Sequence, residues 1–416
     1  MIFYIILGIC LLGLASGLVG SFTFLRKRAL IGDSIAHSVF PGVAIGFLVS
    51  QSKDPIFLIL GACLTGFLSI VVVDLIVRKS KLKTDTAIAL VLSVFFGFGV
   101  LLFTYIQHEY QSAQTGLDKF LFGKAASMLK SDLYWLAGVS AFVILSVILF
   151  YKEFLIISFD RNYAKSTGIS VRFYENMLSL LTILVIVVGI QIVGIVLMAA
   201  LLVTPSSSAR FWTERLKSML VLSSVFAMLS GVLGVLISLS FEKMPTGPWI
   251  VICLSVFAVG SILFAPNSGL YARILKRKRI QNQMNEDNIL KTFYHLGEKD
   301  SHFSGAYSRV DLLDRRFFNG ESLTKGLKDL VKSKDLIQEN SKFKLSDNGL
   351  KRSKRIVKLH RLWEMYLSQK LKLKHDHVHD DADTIEHFIT EELEAELEKI
   401  LDYPTEDPHQ TKIPYA

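Results

Sequence analysis

Eight stretches of this chain stay apolar for long enough to cross a lipid bilayer, and that property limits the fold more than any single motif does. They lie near Ile2 to Phe24, Ser34 to Ser50, Pro55 to Ile76, Thr86 to Ile106, Leu133 to Tyr151, Met177 to Val203, Leu220 to Leu239 and Pro248 to Phe264. A helix needs roughly 20 such residues to cross about 30 Å of hydrocarbon. No water is available there to satisfy free backbone groups, so each run is expected to be helical. The predicted fold class is an all-α polytopic membrane protein of eight or nine helices, followed by an α-rich soluble part.

That second part begins where Pro266-Asn267-Ser268-Gly269 ends the last span and basic residues from Arg273 to Arg279 hold the chain at the membrane surface. From about Asn282 the sequence is charged and helical in period, so the overall 51% hydrophobic content averages two unlike parts. The start, Met1-Ile2-Phe3-Tyr4, has no basic leader, and its apolar run is read as a retained first span. Cys10, Cys63 and Cys253 all fall in apolar runs and offer neither a disulfide framework nor a CxxC metal site. No GxxxxGK[ST] phosphate loop occurs, and no nucleophile, base and orienting group recur in a catalytic arrangement. The chain is therefore expected not to be an enzyme.

Basic clusters at Arg26-Lys27-Arg28, at Arg78 to Lys83, at Arg161 to Arg172, at Arg210 to Lys217 and at Arg273 to Arg279 mark cytoplasmic segments. With the first cluster and the carboxy end both inside, the amino terminus lies outside, which demands an odd number of crossings. Met177 to Val203 resolves the parity when read as a short, broken pair of helices, because Gly189, Gln191 and Gly194 interrupt it; the alternative is one long tilted helix. Irregular backbone at membrane depth needs a protein or aqueous cover, which places this segment beside a pathway.

Asp33 and His37 stand four apart within Gly32-Asp33-Ser34-Ile35-Ala36-His37, so a helix puts a carboxylate and an imidazole on one face. Ionisable groups in a span are costly and mark candidate ion pathways. The competing reading makes Asp33 a helix cap at the membrane edge and His37 a buried, hydrogen-bonded histidine. Ser158 to Ile169 is a short, charged, potentially helical stretch between two spans, suited either to docking a soluble partner or to an ordinary polar loop.

In the soluble part, His360 and Glu364 share a helical face, and His379, Asp383, Glu386 and His387 follow a second helical rhythm. Two such faces together would surround a cation with nitrogen and oxygen ligands, which suits manganese, ferrous iron or zinc. His375 and His377 fall off the favoured face. Upstream, Ser308 to Phe318, Gly320 to Val331 and Leu336 to Leu345 read as helix, turn, helix and hairpin, the order of a winged helix. Its second helix would offer Ser322, Thr324, Lys325 and Lys328 to a DNA major groove, although winged helices also serve as plain interaction modules.

Residues from Met1 to Phe264 resemble the zinc, manganese and iron permeases of ATP-binding-cassette importers. The resemblance is carried by Ile31-Gly32-Asp33-Ser34-Ile35-Ala36-His37-Ser38-Val39-Phe40-Pro41-Gly42, by the Asp160/Ala164/Gly168 segment, by Val193 to Leu197 and by Leu201 to Pro205. It implies a permease dimer of like or unlike subunits, a cytosolic ATPase that grips a coupling helix at Asp160, Ala164 and Gly168, and an extracytoplasmic solute-binding protein. ATP then acts only through the partner subunit, and Asp33 and His37 become pathway residues.

Residues from Asp287 to Ala416 resemble manganese- and iron-dependent repressors of the diphtheria-toxin-repressor type, through His360-Arg361-Leu362-x-Glu364, Val378 to His387 and Pro404 to Pro414. This implies the ligands His360, Glu364, His379, Asp383, Glu386 and His387. Asp383 stands where the family has cysteine or glutamate, which favours manganese. Where the family's first helix supplies a further ligand, this chain has Asn288 with Asp287 beside it. The expected division is a permease over 1–265, a basic linker over 266–286, a winged-helix-like domain over 287–350 and a metal-binding and dimerisation domain over 351–416. The resulting expectation is an inner-membrane metal importer subunit with a cytosolic metal sensor. The alternatives are a tethered or released DNA-binding regulator and an energy-independent metal carrier.

Overall fold

The computed structural model describes residues 2–26, 30–51, 54–109, 128, 130–241, 246–266, 268–370 and 389–415. Two compact units emerge, Met1–Arg273 and Ile274–Ala416.

The first unit contains α1 (Ile2–Leu25), α2 (Ile31–Ser50), α3 (Pro55–Lys79), α4 (Thr84–Glu109), α5 (Lys130–Leu149), α6 (Tyr151–Phe159), α7 (Arg161–Ser166), α8 (Val171–Val193), α9 (Ile195–Trp212), α10 (Leu216–Ser240) and α11 (Thr246–Phe264). Eight of them are long and apolar enough to cross a membrane, and α9 is not among those. The run from Met177 to Val203 is indeed broken, but the pieces are not short: α8 has 23 residues and α9 has 18. The break is confined to Gly194, whose φ of 86° and ψ of 165° suit glycine far better than residues with a Cβ. Gly189 and Gln191, also expected to interrupt, lie inside α8.

Lipid supplies no hydrophobic drive between helices, so close fit and buried hydroxyls must join them. Gly42 of α2 and Gly61 of α3 approach so closely that a Cβ on either would collide with the other's carbonyl oxygen. Serines tie α1 to α9 and α10. The hydroxyls of Ser206 and Ser223 are 2.9 Å apart, and Ser21 and Ser223 donate to the Gly17 carbonyl at 2.8 and 3.1 Å.

The second unit takes most of α12 (Leu270–Lys299), then α13 (Arg309–Arg315), α14 (Gly320–Lys332), β1 (Leu336–Glu339), β2 (Lys342–Leu345), α15 (Asp347–Lys370) and α16 (Glu391–Ile400). Much of the expected basic linker is thus helical, within α12. Ser308 and Asp311 form a capping box at α13, and Asn319 caps α14. The strands pair antiparallel from Leu336↔Leu345 to Glu339↔Lys342, forming the wing. Its core gathers Ile289, Phe293, Leu312, Leu327, Leu336 and Phe343, and a second cluster joins Leu362, Leu397, Leu401 and Ile413.

Candidate metal stations and coupling segment

The N-cap of α2 is Leu30, and Asp33 lies inside the first turn, where the partial positive charge of a helix start favours a carboxylate. Asp33 is therefore not the cap. One turn on, His37 Nε2 is 3.4 Å from Asp33 Oδ1, with side-chain exposures of 21% and 42% for His37 and Asp33. Ile35, Ala36, Val39 and Phe40 around them are buried. The His37 ring meets Phe96 of α4 edge to face at 4.9 Å, and Phe40 stacks on Phe103 at 4.1 Å. His37 Nδ1 and the hydroxyls of Ser34 and Ser38 are buried without hydrogen-bond partners among the described residues. Two donors of nitrogen and oxygen type, partly open, suit transient contact with a divalent transition ion.

The Asp160/Ala164/Gly168 segment is a short helix with each residue at a structural post. The Asp160 carboxylate accepts from the backbone N–H groups of Asn162 and Tyr163, both at 2.9 Å. Ala164 is fully buried. Gly168 has φ 80°, and the bonds from Ile169 N to Ala164 O and from Gly168 N to Lys165 O form a Schellman closure. Arg161 binds Glu175 of α8 at 2.7 Å, and Arg26 reaches the same carboxylate at 3.2 Å. Phe159, Tyr163 and Phe173 remain exposed around this helix, as a docking face would require.

In the second unit, His360 Nε2 lies 2.9 Å from Glu364 Oε1 on α15, both residues buried. A buried imidazole and carboxylate together fit part of a divalent ion's ligand shell. His379, Asp383, Glu386 and His387 lie outside the described residues. Among those described, no three His, Cys, Asp or Glu side chains are grouped to hold a metal ion. Asp287 is engaged elsewhere: Arg352 Nη2 binds its Oδ1 at 2.7 Å, while Nη1 binds Asp335 at 2.7 Å. The neighbouring Asn288 Oδ1 is buried without a hydrogen-bond partner among the described residues.

Arg361, buried beside His360, holds Glu298 at 2.8 Å and lies 3.5 Å from Asp407. His295, on the same α12 face as Glu298, is pushed down to about 4 by burial and by Lys291 and Arg361, against the pull of Glu298. On α14, Ser322, Lys325 and Lys328 are exposed. Thr324 spends its hydroxyl on the Gly320 carbonyl at 2.8 Å, and Lys325 Nζ donates to Asn282 at 3.0 Å.

Residues 1–265 match the profile of the ABC 3 transport family. The chain belongs to the ABC 3 transport family. Residues 346–415 match the iron dependent repressor, metal binding and dimerisation domain. The manganese transport system membrane protein MntC of Bacillus subtilis (strain 168) is 39% identical, over 89% of this chain and 85% of its own length. The zinc transport system membrane protein TroC of Treponema pallidum (strain Nichols) is 40% identical over 66% of this chain and 93% of its own length. Among solved structures, PsaBC from Streptococcus pneumoniae in complex with Fab aligns with a TM-score of 0.58 and 35% identity, covering 66% of this chain and 94% of that one. The chain is thus an all-helical, multi-pass permease of the ABC 3 family fused to a repressor-type metal-binding and dimerisation domain.

Sequence reading did not find Phe96 or Arg352. Each meets its partner across a long stretch of chain, 65 residues for Arg352 and Asp287, and no local spacing signals such a pair.

Proposed function

We propose that this permease carries a divalent transition metal through Asp33 and His37, powered by a separate ATPase that grips α7, and that the C-terminal unit senses the metal inside the cell. The observation that carries the reading is the His37–Asp33 pair at 3.4 Å within the buried α2. Manganese is the first candidate for the sensor, and iron and zinc follow, consistent with the names of the relatives and the imidazole and carboxylate donors of α15. An extracytoplasmic binding protein and a second permease subunit complete the importer.

Orientation follows from counting. Eight helices are long and apolar enough to cross; α9 falls outside that set, but at 18 residues it is about 27 Å long, and counting it as a crossing too makes nine. An odd number puts the amino terminus outside and α7, the basic segments and the C-terminal unit on the cytoplasmic side of the inner membrane. The exposed Ser322, Lys325 and Lys328 leave DNA contact as a lesser role for the winged helix.

The test is radiolabelled or fluorescence-detected uptake of manganese, zinc and iron in cells carrying wild type, Asp33→Ala or His37→Ala. Uptake of the cargo metal is expected to fall at least about tenfold in both variants, one ligand's loss being worth more than about 1.4 kcal/mol. Undiminished uptake in both would remove the pair from the path. Uptake that persists without the companion ATPase would point to an energy-independent carrier instead.

A further inference from the structure

On the outer wall of the first unit, Leu18, Val147, Ile148, Val221 and Val225, among others, line an apolar groove of about 560 Å³ that ends at Lys217 and Tyr151. We infer that this groove binds one anionic phospholipid from the leaflet on the α7 side, with an acyl chain along the apolar walls and the phosphate at Lys217.

Lys217 and the start of α10 both point to an anion at that end. Lys217 Nζ stands 5.8 Å from the centre of the Tyr151 ring, and no carboxylate pairs with it among the described residues. It also sits in the first turn of α10, a 25-residue helix whose start repels a cation and attracts an anion. Finally, the N-cap residue of α10 is Arg215, whose side chain makes no capping bond, so no capping side chain competes with an anion for the first-turn N–H groups. Glu214, the nearest acid in sequence, lines a separate pocket with Arg210 and Arg273.

The rest of the groove suits a hydrocarbon chain. Ser224 is polar, but its hydroxyl already donates to the Leu14 carbonyl at 3.3 Å. Position adds a consequence for transport. Tyr151 opens α6, which leads through Asp160 into α7, so an occupied groove would brace the base of the coupling segment.

The test uses the full-length protein in nanodiscs of phosphatidylcholine alone or with phosphatidylglycerol, and reads retained lipid by native mass spectrometry. Wild type is expected to keep one phosphatidylglycerol in preference to phosphatidylcholine. Lys217→Ala should reduce that preference by about fivefold, the weight of one lysine near an anionic surface, and Lys217→Arg should preserve it. Val221→Trp, which fills the groove while leaving the cation, should expel the lipid. Equal retention of both lipids by wild type, or an unchanged preference in Lys217→Ala, would overturn the proposal. So would efficient cross-linking of Val221→Cys to a second copy of the chain, which would make the groove a protein interface.

Discussion

Arg352 donates to Asp287 and Asp335 at 2.7 Å each and lies 3.4 Å from Glu286, so one guanidinium joins α12 and α15 to the turn before β1. Burial raises the pKa of Glu286, against the lowering pull of Arg352. Breaking a buried pair from one side strands the other charge at a cost of roughly 3 kcal/mol or more. Arg352→Met should destabilise the C-terminal unit by about that amount, and Asp287→Asn by less, because Asp335 stays on the arginine. Hydrogen exchange of the α12 and α15 amides measures both, and equal effects would show that Asp287 alone carries the clasp. The same arginine explains what was and was not legible beforehand. His360 with Glu364, and Asp33 with His37, were readable because both members of each pair ride one helix, where a spacing of four fixes proximity. The engagement of Asp287 was not, because it depends on a side chain brought near only when α15 folds against α12.

At the scale of elements, α7 is only six residues long and depends on its two ends. Losing the Asp160 cap costs about 1 kcal/mol, and a Cβ at the positive φ of Gly168 costs about 1–2 kcal/mol. Asp160→Ala and Gly168→Val should therefore loosen α7 and lower metal-stimulated ATP hydrolysis by the assembled importer, while metal binding by the permease is unchanged. Hydrolysis at the wild-type rate in both would mean that the ATPase does not read this helix. The junction of α12, α15 and the tail behaves differently, because it responds to pH. His295 falls from 6.5 to about 4 in the folded chain, so the unfolded state binds its proton first, and stability present above the unfolded value is lost as pH drops toward the folded one. Glu394 acts in the same direction lower down: burial would raise it, but hydrogen bonds from Lys358 and Arg355 win and lower it. Thermal melts of the full chain should show the C-terminal transition weakening below about pH 6.5, and His295→Gln should flatten the upper part of that fall. The apolar runs announced almost every span, since length and composition suffice for that. Which of the two glycines in the run breaks it was not legible: the break falls at Gly194, while Gly189 stays helical with Met198 of α9 packed against it.

For the whole molecule, the two stations must differ in grip if one protein is both to pass a metal and to respond to it. On the proposed path Asp33 and His37 would offer two ligands in a half-open site, and fast release favours so small a set. His360 and Glu364 are buried on α15, and with His379, Asp383, Glu386 and His387, the further ligands the repressor resemblance implies, the proposed shell would be a fuller cage suited to slow exchange. A cage of this kind fills once internal metal is adequate, and its state can then bias the transporter through its differential affinity for two conformations. The expected outcome is specific to concentration. At low external manganese, the double variant His360→Ala/Glu364→Ala should import at the wild-type rate, because no station on the path is touched. At high external manganese, wild-type uptake should decline with time while the variant continues, and cellular manganese should overshoot. Loss of uptake at low metal would place these residues in assembly of the importer, and matching curves at both concentrations would remove feedback on transport from the sensor's role.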